Sequence, residues 1–196
     1  MAKADKTTIY IRDAVADDAA ALAVIYNQGI VDRIATLETE ERTPEERRAW
    51  LDARDSRHPV IVAVADDQMV GFGSLNVFNP RKAYDHVADF SIYIERSWRG
   101  KGVGSRLLQA LIERARQIGY HKLVLSAFPF NEGGLALYKK FGFQVVGIYK
   151  EQGLLDGRWV DTIIMERLLD EASGRAPEEA ARADPSESRK PDPLNP

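Results

Sequence analysis

Apolar and polar positions change rhythm several times along the chain, and each rhythm predicts an element. Ile9, Tyr10 and Ile11 form a short β-rich run, which reads as a strand. Asp17 or Asp18 then caps a helix that carries Leu22, Ile25 and Tyr26 on one face. Periodicity fades over 29–41, where Ile30, Ile34 and Leu37 mix with Thr36 and Thr39, predicting a loop or short helix that shapes a pocket. Thr43-Pro44-Glu45-Glu46 is a capping box with proline at the first helical position, opening a helix to about Arg54. Residues 59–65 and 69–77 predict antiparallel strands joined by Asp66-Asp67-Gln68. A further strand covers 87–95. Val103, Leu107, Leu111, Ala115 and Ile118 then recur at helical spacing until Gly119. A strand over 122–127, a helix over 135–140 closed by Gly142 and a strand over 143–150 follow. Asp156-Gly157 supplies a tight turn before a last strand over 159–168. The order is β-α-(α)-β-β-β-α-β-α-β-β, which predicts an α/β (α+β) domain: a mixed sheet with helices on its faces.

Composition narrows what this domain can do. A length of 196 residues favours one domain, read as 1–170. From 171 to 196 the chain turns to Ala, Glu, Pro, Ser and Arg, which predicts a disordered tail. No apolar run is long enough to span a bilayer, and the start has no apolar signal core, so the expected location is the cytoplasm. With no cysteine, disulfides, thiolate metal sites and a cysteine acyl-enzyme are excluded. A net charge of -3 gives no global attraction for nucleic acid. His58, His86 and His121 lack metal-ligand spacing, so no metal is expected.

The sharpest chemical signal is Arg99-Gly100-Lys101-Gly102-Val103-Gly104-Ser105, lying between a strand and an amphipathic helix. Backbone N–H groups at such a helix start, unobstructed by Cβ atoms, can converge on phosphate oxygens, and the helix dipole favours the same anion. Neither a Walker A loop nor the dinucleotide fingerprint fits, because Gly104 is followed by Ser105-Arg106 and the third glycine of the fingerprint is missing. A plain turn that lets strand and helix pack closely is the other reading of these glycines.

Arg99, Gly102 and Gly104 resemble the coenzyme A loop of the GNAT superfamily of N-acetyltransferases, Arg/Gln-x-x-Gly-x-Gly/Ala. Asn131, Tyr138 and Gly142-Phe143 resemble its second cofactor motif, and the likeness spans roughly 8–168. Within the superfamily, Ile25-Tyr26-Asn27, Thr43-Pro44-Glu45-Glu46, Ala83-Tyr84-Asp85, Ala88-Asp89 with Tyr93, and Gly157-Arg158-Trp159-Val160-Asp161 resemble the phosphinothricin, methionine sulfoximine and arsinothricin acetyltransferases. The stretch from Asp32 to Thr39 is most similar to the arsinothricin branch.

This resemblance implies a GNAT-type, mostly antiparallel central sheet of about seven strands, acetyl-CoA as the cofactor, a small-molecule amine as substrate and a homodimer. It implies that Asp89 acts as base, directly or through water, since an ammonium has no lone pair to attack a thioester. The family often has glutamate there. An exposed strand end is the alternative for Asp89. Backbone N–H groups at Tyr93 and Ile94 would stabilise the developing oxyanion and hold the pantetheine arm, with Arg99 to Ser105 on the diphosphate. Tyr138 would serve the departing thiolate, unless it is an ordinary core aromatic; the phosphinothricin enzymes tend to carry histidine there. Asn131 would bond the cofactor's amide arm, or simply cap its helix. Arg81 would meet an acidic group on the substrate, or stay solvated. Ile34, Thr36, Leu37 and Tyr84 would line the pocket, and Arg158 and Trp159 would complete it or lie at a dimer interface. Two alternatives stand beside this: acetylation of protein N-termini or polyamines, and a non-catalytic acetyl-CoA sensor.

Overall fold

The computed structural model describes residues 8–169; the expected tail over 171–196 lies outside them. The element order is β1 (Ile9–Asp13), α1 (Ala19–Val31), α2 (Pro44–Asp52), β2 (Val60–Ala65), β3 (Gln68–Val77), β4 (Val87–Ile94), α3 (Val103–Ile118), β5 (Lys122–Ala127), α4 (Glu132–Lys140), β6 (Gln144–Leu155) and β7 (Arg158–Leu168). The strands form one seven-stranded sheet in the order β1-β2-β3-β4-β5-β7-β6. Every neighbouring pair is antiparallel except β4 and β5, which run parallel. Parallel neighbours need a crossover, and α3 provides it.

Local chemistry explains most boundaries. The capping box at Thr43 forms in both directions: Glu46 N–H donates to Thr43 Oγ1 (3.2 Å) and Thr43 N–H donates to Glu46 Oε2 (2.7 Å). Asp18 stands at the start of α1, but its carboxylate does not cap the helix. It takes both guanidinium nitrogens of Arg12 (2.7 and 2.9 Å) and the Val15 N–H (2.8 Å), pinning β1 to the turn before α1. Helix α2 stops at Asp52, short of the expected Arg54. Helix α4 begins three residues before its apolar pattern does, because the Asn131 side chain accepts from Gly134 N–H (3.0 Å) and Gly133 and Gly134 carry no side chain for periodicity to register. Strand β6 continues to Leu155 through a register break between Tyr149 and Gly153, where Glu151 has φ of 52°.

Two apolar layers lie on opposite faces of the sheet. On one, Leu107, Leu108, Leu111 and Ala115 of α3 pack with Val70, Leu75, Ala88 and Phe90, and Leu137 and Tyr138 of α4 extend this layer. On the other, Leu22 and Ile25 of α1 pack with Val60, Val62, Val64 and Phe72, joined at the edge by Tyr26, Trp50 and Tyr93. Side chains alternate along β4, so Asp89, Ser91 and Tyr93 share the α1/α2 face while Phe90, Ile92 and Ile94 face α3. Among the described residues, no helix is long and apolar enough to cross a membrane.

Candidate active site

Strands β4 and β5 pair only from Val87↔Lys122 to Asp89↔Val124, although β4 runs on to Ile94 and β5 to Ala127. Beyond Asp89 the sheet opens into a wedge, and a cavity of about 470 Å³ lies along this part of β4. Ile92, Tyr93 and Ile94 line one side, the loop from Trp98 to Ser105 another, and Asn131, Leu137 and Tyr138 of the α4 segment a third.

The glycine loop is shaped by backbone conformation. Gly100 and Gly102 have φ of 75° and 86°, which L side chains rarely adopt, and a Cβ at either would meet nothing within 4 Å. Gly102 stands at the N-cap of the sixteen-residue α3, whose first amides have no intrahelical acceptor. Open space, exposed N–H groups and the positive end of the helix dipole fit a diphosphate. Gly104 is glycine for a different reason: a Cβ there would lie 3.0 Å from Leu137 Cδ2, so it sets how closely α3 approaches α4. Val103 is buried in the core, and Lys101 points its ammonium over the Trp98 ring (5.2 Å) outside the cavity lining. The Arg99 guanidinium is already engaged. It reaches Asp32 Oδ2 at 2.6 Å and the Ile94 carbonyl at 3.4 Å, while Arg96 takes the other Asp32 oxygen at 2.6 Å. These two arginines, Arg96 foremost, hold the Asp32 carboxyl below its ordinary pKa and tie the loop to the end of α1.

Strand parity decides which main-chain groups enter the wedge. Glu95 N–H donates to Val70 O on β3, whereas the His86 carbonyl accepts from His121 and Lys122 on the β5 side. Alternation along β4 therefore turns the amides of Asp89, Ser91 and Tyr93 toward β3 and those of Ile92 and Ile94 toward the open gap. This corrects the expectation for Tyr93, whose amide is used by the sheet; the residue reaches the cavity by its ring. That ring stacks on Phe72 (5.1 Å) and meets the edge of Tyr26 (4.9 Å), and burial lifts its hydroxyl above the usual phenol range.

Asp89 is half-buried at the apex of the wedge, where the β4–β5 ladder ends, which removes the exposed strand end as its explanation. Burial pushes its carboxyl up to about 6, and the Asn76 amide, donating to Oδ1 at 3.4 Å, acts against that rise. Tyr138 packs its ring edge-on to Phe90 (5.8 Å); burial, with a further contribution from the Asp89 charge, pushes its hydroxyl up to about 12. Asn131 lines the cavity and caps α4.

On the acceptor side, Ile34 and Ala35 line the cavity. Thr36 accepts from the Glu38 N–H (3.1 Å), and Leu37 lies over Gly153 of β6, where a Cβ would come within 2.5 Å of Leu37 Cδ2. Arg33 joins Asp156 in the β6–β7 turn through two hydrogen bonds (3.1 and 3.0 Å). Arg81 and Tyr84 are not brought to the cavity. Arg81 is exposed on the connection before β4, and Tyr84 packs against Phe78 (5.5 Å). Arg158 and Trp159 are also exposed.

Several groups around the site escaped sequence reasoning. Asn76 is one, since only the β3–β4 register puts it opposite Asp89. Arg47 is another: it is 7% exposed, its guanidinium sits 3.5 Å from the Tyr26 ring centroid, and its Nε has no hydrogen-bond partner. With Tyr26, Trp50, Arg42, Glu38 and Glu46 it lines a second, polar cavity of about 330 Å³. Its spacing from Trp50 and Leu51, three and four residues further on, is the sequence signal that puts it on the inner face of α2.

A splayed mixed sheet with a glycine loop at a helix start, inward amides and a carboxyl at the apex fits a diphosphate-bearing ligand laid along an open strand edge. Residues 27–143 match the Acetyltransferase (GNAT) family, and the chain belongs to it. It is 34% identical over 162 residues to an L-methionine sulfoximine/L-methionine sulfone acetyltransferase of Pseudomonas paraeruginosa, covering 82% of this chain and 94% of that protein. It is 30% identical to a phosphinothricin N-acetyltransferase of Streptomyces coelicolor, covering 82% and 96%. The crystal structure of a phosphinothricin acetyltransferase from Sinorhizobium meliloti in complex with acetyl-CoA superposes with a TM-score of 0.79 at 30% identity, covering 87% of this chain and 93% of that one. The protein is thus an N-acetyltransferase that uses acetyl-CoA.

Proposed function

We propose that the enzyme acetylates the amino group of a small amino-acid-like substrate of the phosphinothricin, methionine sulfoximine or arsinothricin type, by direct transfer in a ternary complex. One observation carries this reading: Asp89, half-buried with its pKa raised to about 6, stands at the apex of the wedge beside Tyr138. The absence of cysteine supports transfer without a cysteine acyl-enzyme.

Acetyl-CoA supplies the acetyl group as an activated thioester. Gly100 to Ser105 are assigned to its diphosphate and Asn131 to its amide arm, with Arg99 acting through its clasp on Asp32 and its own backbone. Asp89 removes the proton from the substrate ammonium. At a pKa of about 6 it is roughly nine-tenths ionised at pH 7 and so is available to accept that proton. Because aspartate is one methylene shorter than glutamate, a bridging water is the favoured route. The Ile92 and Ile94 amides are the candidate donors to the oxygen on which negative charge develops. Tyr138, with a pKa of about 12, lies some 3.5 units above an ordinary thiol, so giving up its proton would cost about 5 kcal/mol. It therefore donates a hydrogen bond to the departing sulfur as the C–S bond breaks, and the second proton of the attacking nitrogen passes to the thiolate, leaving the amide and free coenzyme A.

Ile34, Thr36 and Leu37 form the proposed inner wall for the amine. The two cited relatives are named for such substrates, which supports a detoxifying or resistance role. We also propose a cytoplasmic homodimer: Val146, Ile148, Leu154 and Trp159 leave apolar surface exposed along β6–β7, with Trp159 62% exposed.

The test is release of free coenzyme A from acetyl-CoA with phosphinothricin, methionine sulfoximine and arsinothricin, beside a polyamine and a peptide with a free N-terminus. Turnover of at least one amino-acid analogue is expected. Turnover of only the polyamine or the peptide would overturn the substrate class.

A further inference from the structure

The reading of Asp89 as base leaves open what holds a short carboxylate in place. Asn76 of β3 is its cross-strand partner, in a pair whose side chains lie on the same face of the sheet. The Asn76 amide is held at both ends. Its Oδ1 accepts from an Arg54 guanidinium N–H (3.1 Å) and from the Ser74 hydroxyl (3.0 Å). Arg54 is itself anchored by the His58 carbonyl (2.7 Å) and the Leu75 carbonyl. A guanidinium has donors only, so the amide cannot flip without setting Nδ2 against it. Nδ2 is thereby turned toward Asp89 Oδ1 (3.4 Å) and Ser91 Oγ (3.2 Å). Ser91, accepting from Nδ2, keeps its hydroxyl hydrogen free to donate. Ser74 is 2% exposed and gives its hydroxyl to this network, which is therefore built into the sheet.

We infer that Asn76, oriented by Arg54 and Ser74, is a positioning residue that fixes the Asp89 carboxylate and favours its ionised form. An amide N–H given to a carboxylate stabilises the charge, opposing the desolvation that dominates at this site. From the other layer, Tyr138 of α4 feels the Asp89 charge and its phenol stays protonated, and Val124 of β5 is the parallel-strand neighbour of Asp89. Arg54 lies one amide further away.

The experiment measures kcat/KM against pH for wild type, Asn76→Leu and Asn76→Ser. The bond is long, so the expected shift is about one unit: in Asn76→Leu the acid limb moves from near 6 to near 7, with about tenfold less activity at pH 5.5. Asn76→Ser, which keeps a donor, falls between the two. The acetyl-CoA dissociation constant stays within twofold in all three, because the network is on the acceptor face. An unmoved acid limb in folded Asn76→Leu overturns the inference, as does a loss of rate that is equal at every pH. If Asn76→Leu does not fold, the Asp89 carboxyl is titrated by NMR in Asn76→Ser, and an unshifted pKa is again the contrary result. Asp89→Asn separates the underlying assumption: if that variant keeps wild-type turnover, Asp89 is not the base, whatever Asn76 does.

Discussion

The wedge is assembled from two halves built by different means. The cofactor half, from the end of β4 through the glycine loop to the starts of α3 and α4, is made chiefly of backbone: two glycines at positive φ, a helix N-terminus, and the inward amides of Ile92 and Ile94. The acceptor half is made of side chains gathered from distant segments. Arg33 meets Asp156 across 123 positions, Leu37 lies on Gly153, and Asn76 and Asp89 face each other across the β3–β4 pairing. A backbone site leaves its mark as glycine at the φ of 75° and 86° found at Gly100 and Gly102, whereas a side-chain site can be met by many residue pairs.

The largest expected effect lies where the halves meet. Asp89→Asn is expected to lower kcat/KM by about 10²–10⁴, the usual range for a general base, while acetyl-CoA affinity stays within twofold by calorimetry. The same variant is more stable at neutral pH. The folded pKa, about 6, lies above the unfolded value near 3.8, so the native state binds this proton more tightly and wild-type stability falls as pH rises between those values. Removing the charge recovers at most about 3 kcal/mol above pH 6 and nothing below pH 4. Chemical denaturation at pH 4 and pH 8 checks the sign, and equal gains at both would rule out a buried carboxylate as the cause.

Next comes the cofactor half alone. Gly102→Val forces a β-branched residue into a left-handed conformation at the α3 N-cap, which costs about 1–2 kcal/mol of stability. It also puts a side chain into the diphosphate cradle. A rise of at least tenfold in the acetyl-CoA dissociation constant is expected, with the KM for the amine little changed. Gly104→Ala acts differently: its methyl presses on Leu137, next to Tyr138, so kcat falls more than cofactor affinity does. If both variants lose only affinity, the two glycines do the same job, and Gly104 is not a spacer between α3 and α4.

The asymmetry between the halves also explains what could be read from the sequence. Strand and helix order, the Thr43 cap, the Gly102 and Gly119 positions and the Asp156-Gly157 turn are local facts, and each appears where its residue types predict it. Tyr93 is an instructive miss. Motif position pointed to its amide, but which amides face the gap depends on pairing parity, and parity is fixed by tertiary registration. Arg81 shows the reverse: a residue with the right chemistry that the chain leaves exposed. Arg47 and Arg54 carry no motif that would single them out in the sequence. The burial of one and the carbonyl partners of the other reveal them.

On the acceptor half alone the expected effects are smaller. Gly153→Ala places a methyl 2.5 Å from Leu37 Cδ2, so the Leu37 side chain must shift. A three- to tenfold rise in the KM for the amine is expected on the scale of one displaced apolar contact, with acetyl-CoA affinity unchanged. A changed cofactor affinity would show that the halves are mechanically coupled, and the tie of Arg99 to Asp32 at the end of α1 is the route by which that would happen.

The smallest effect belongs to Asp156→Asn, which weakens the Arg33 bridge and leaves Leu37 in place. The pair is 33% and 65% exposed at its two side chains, so it is worth under about 1 kcal/mol and is screened by salt. The KM for the amine is expected to rise about twofold at low ionic strength, because Arg33 keeps its contact with the Glu38 carbonyl (3.5 Å) and so still restrains the segment. Raising the salt to 0.5 M should bring wild type up to the variant's value and leave the variant where it was. A variant whose KM stays twofold above wild type at high salt would mean that Asp156 acts by shape rather than charge. The β6–β7 turn would then be a fixed wall of the acceptor site and not an electrostatic latch on it.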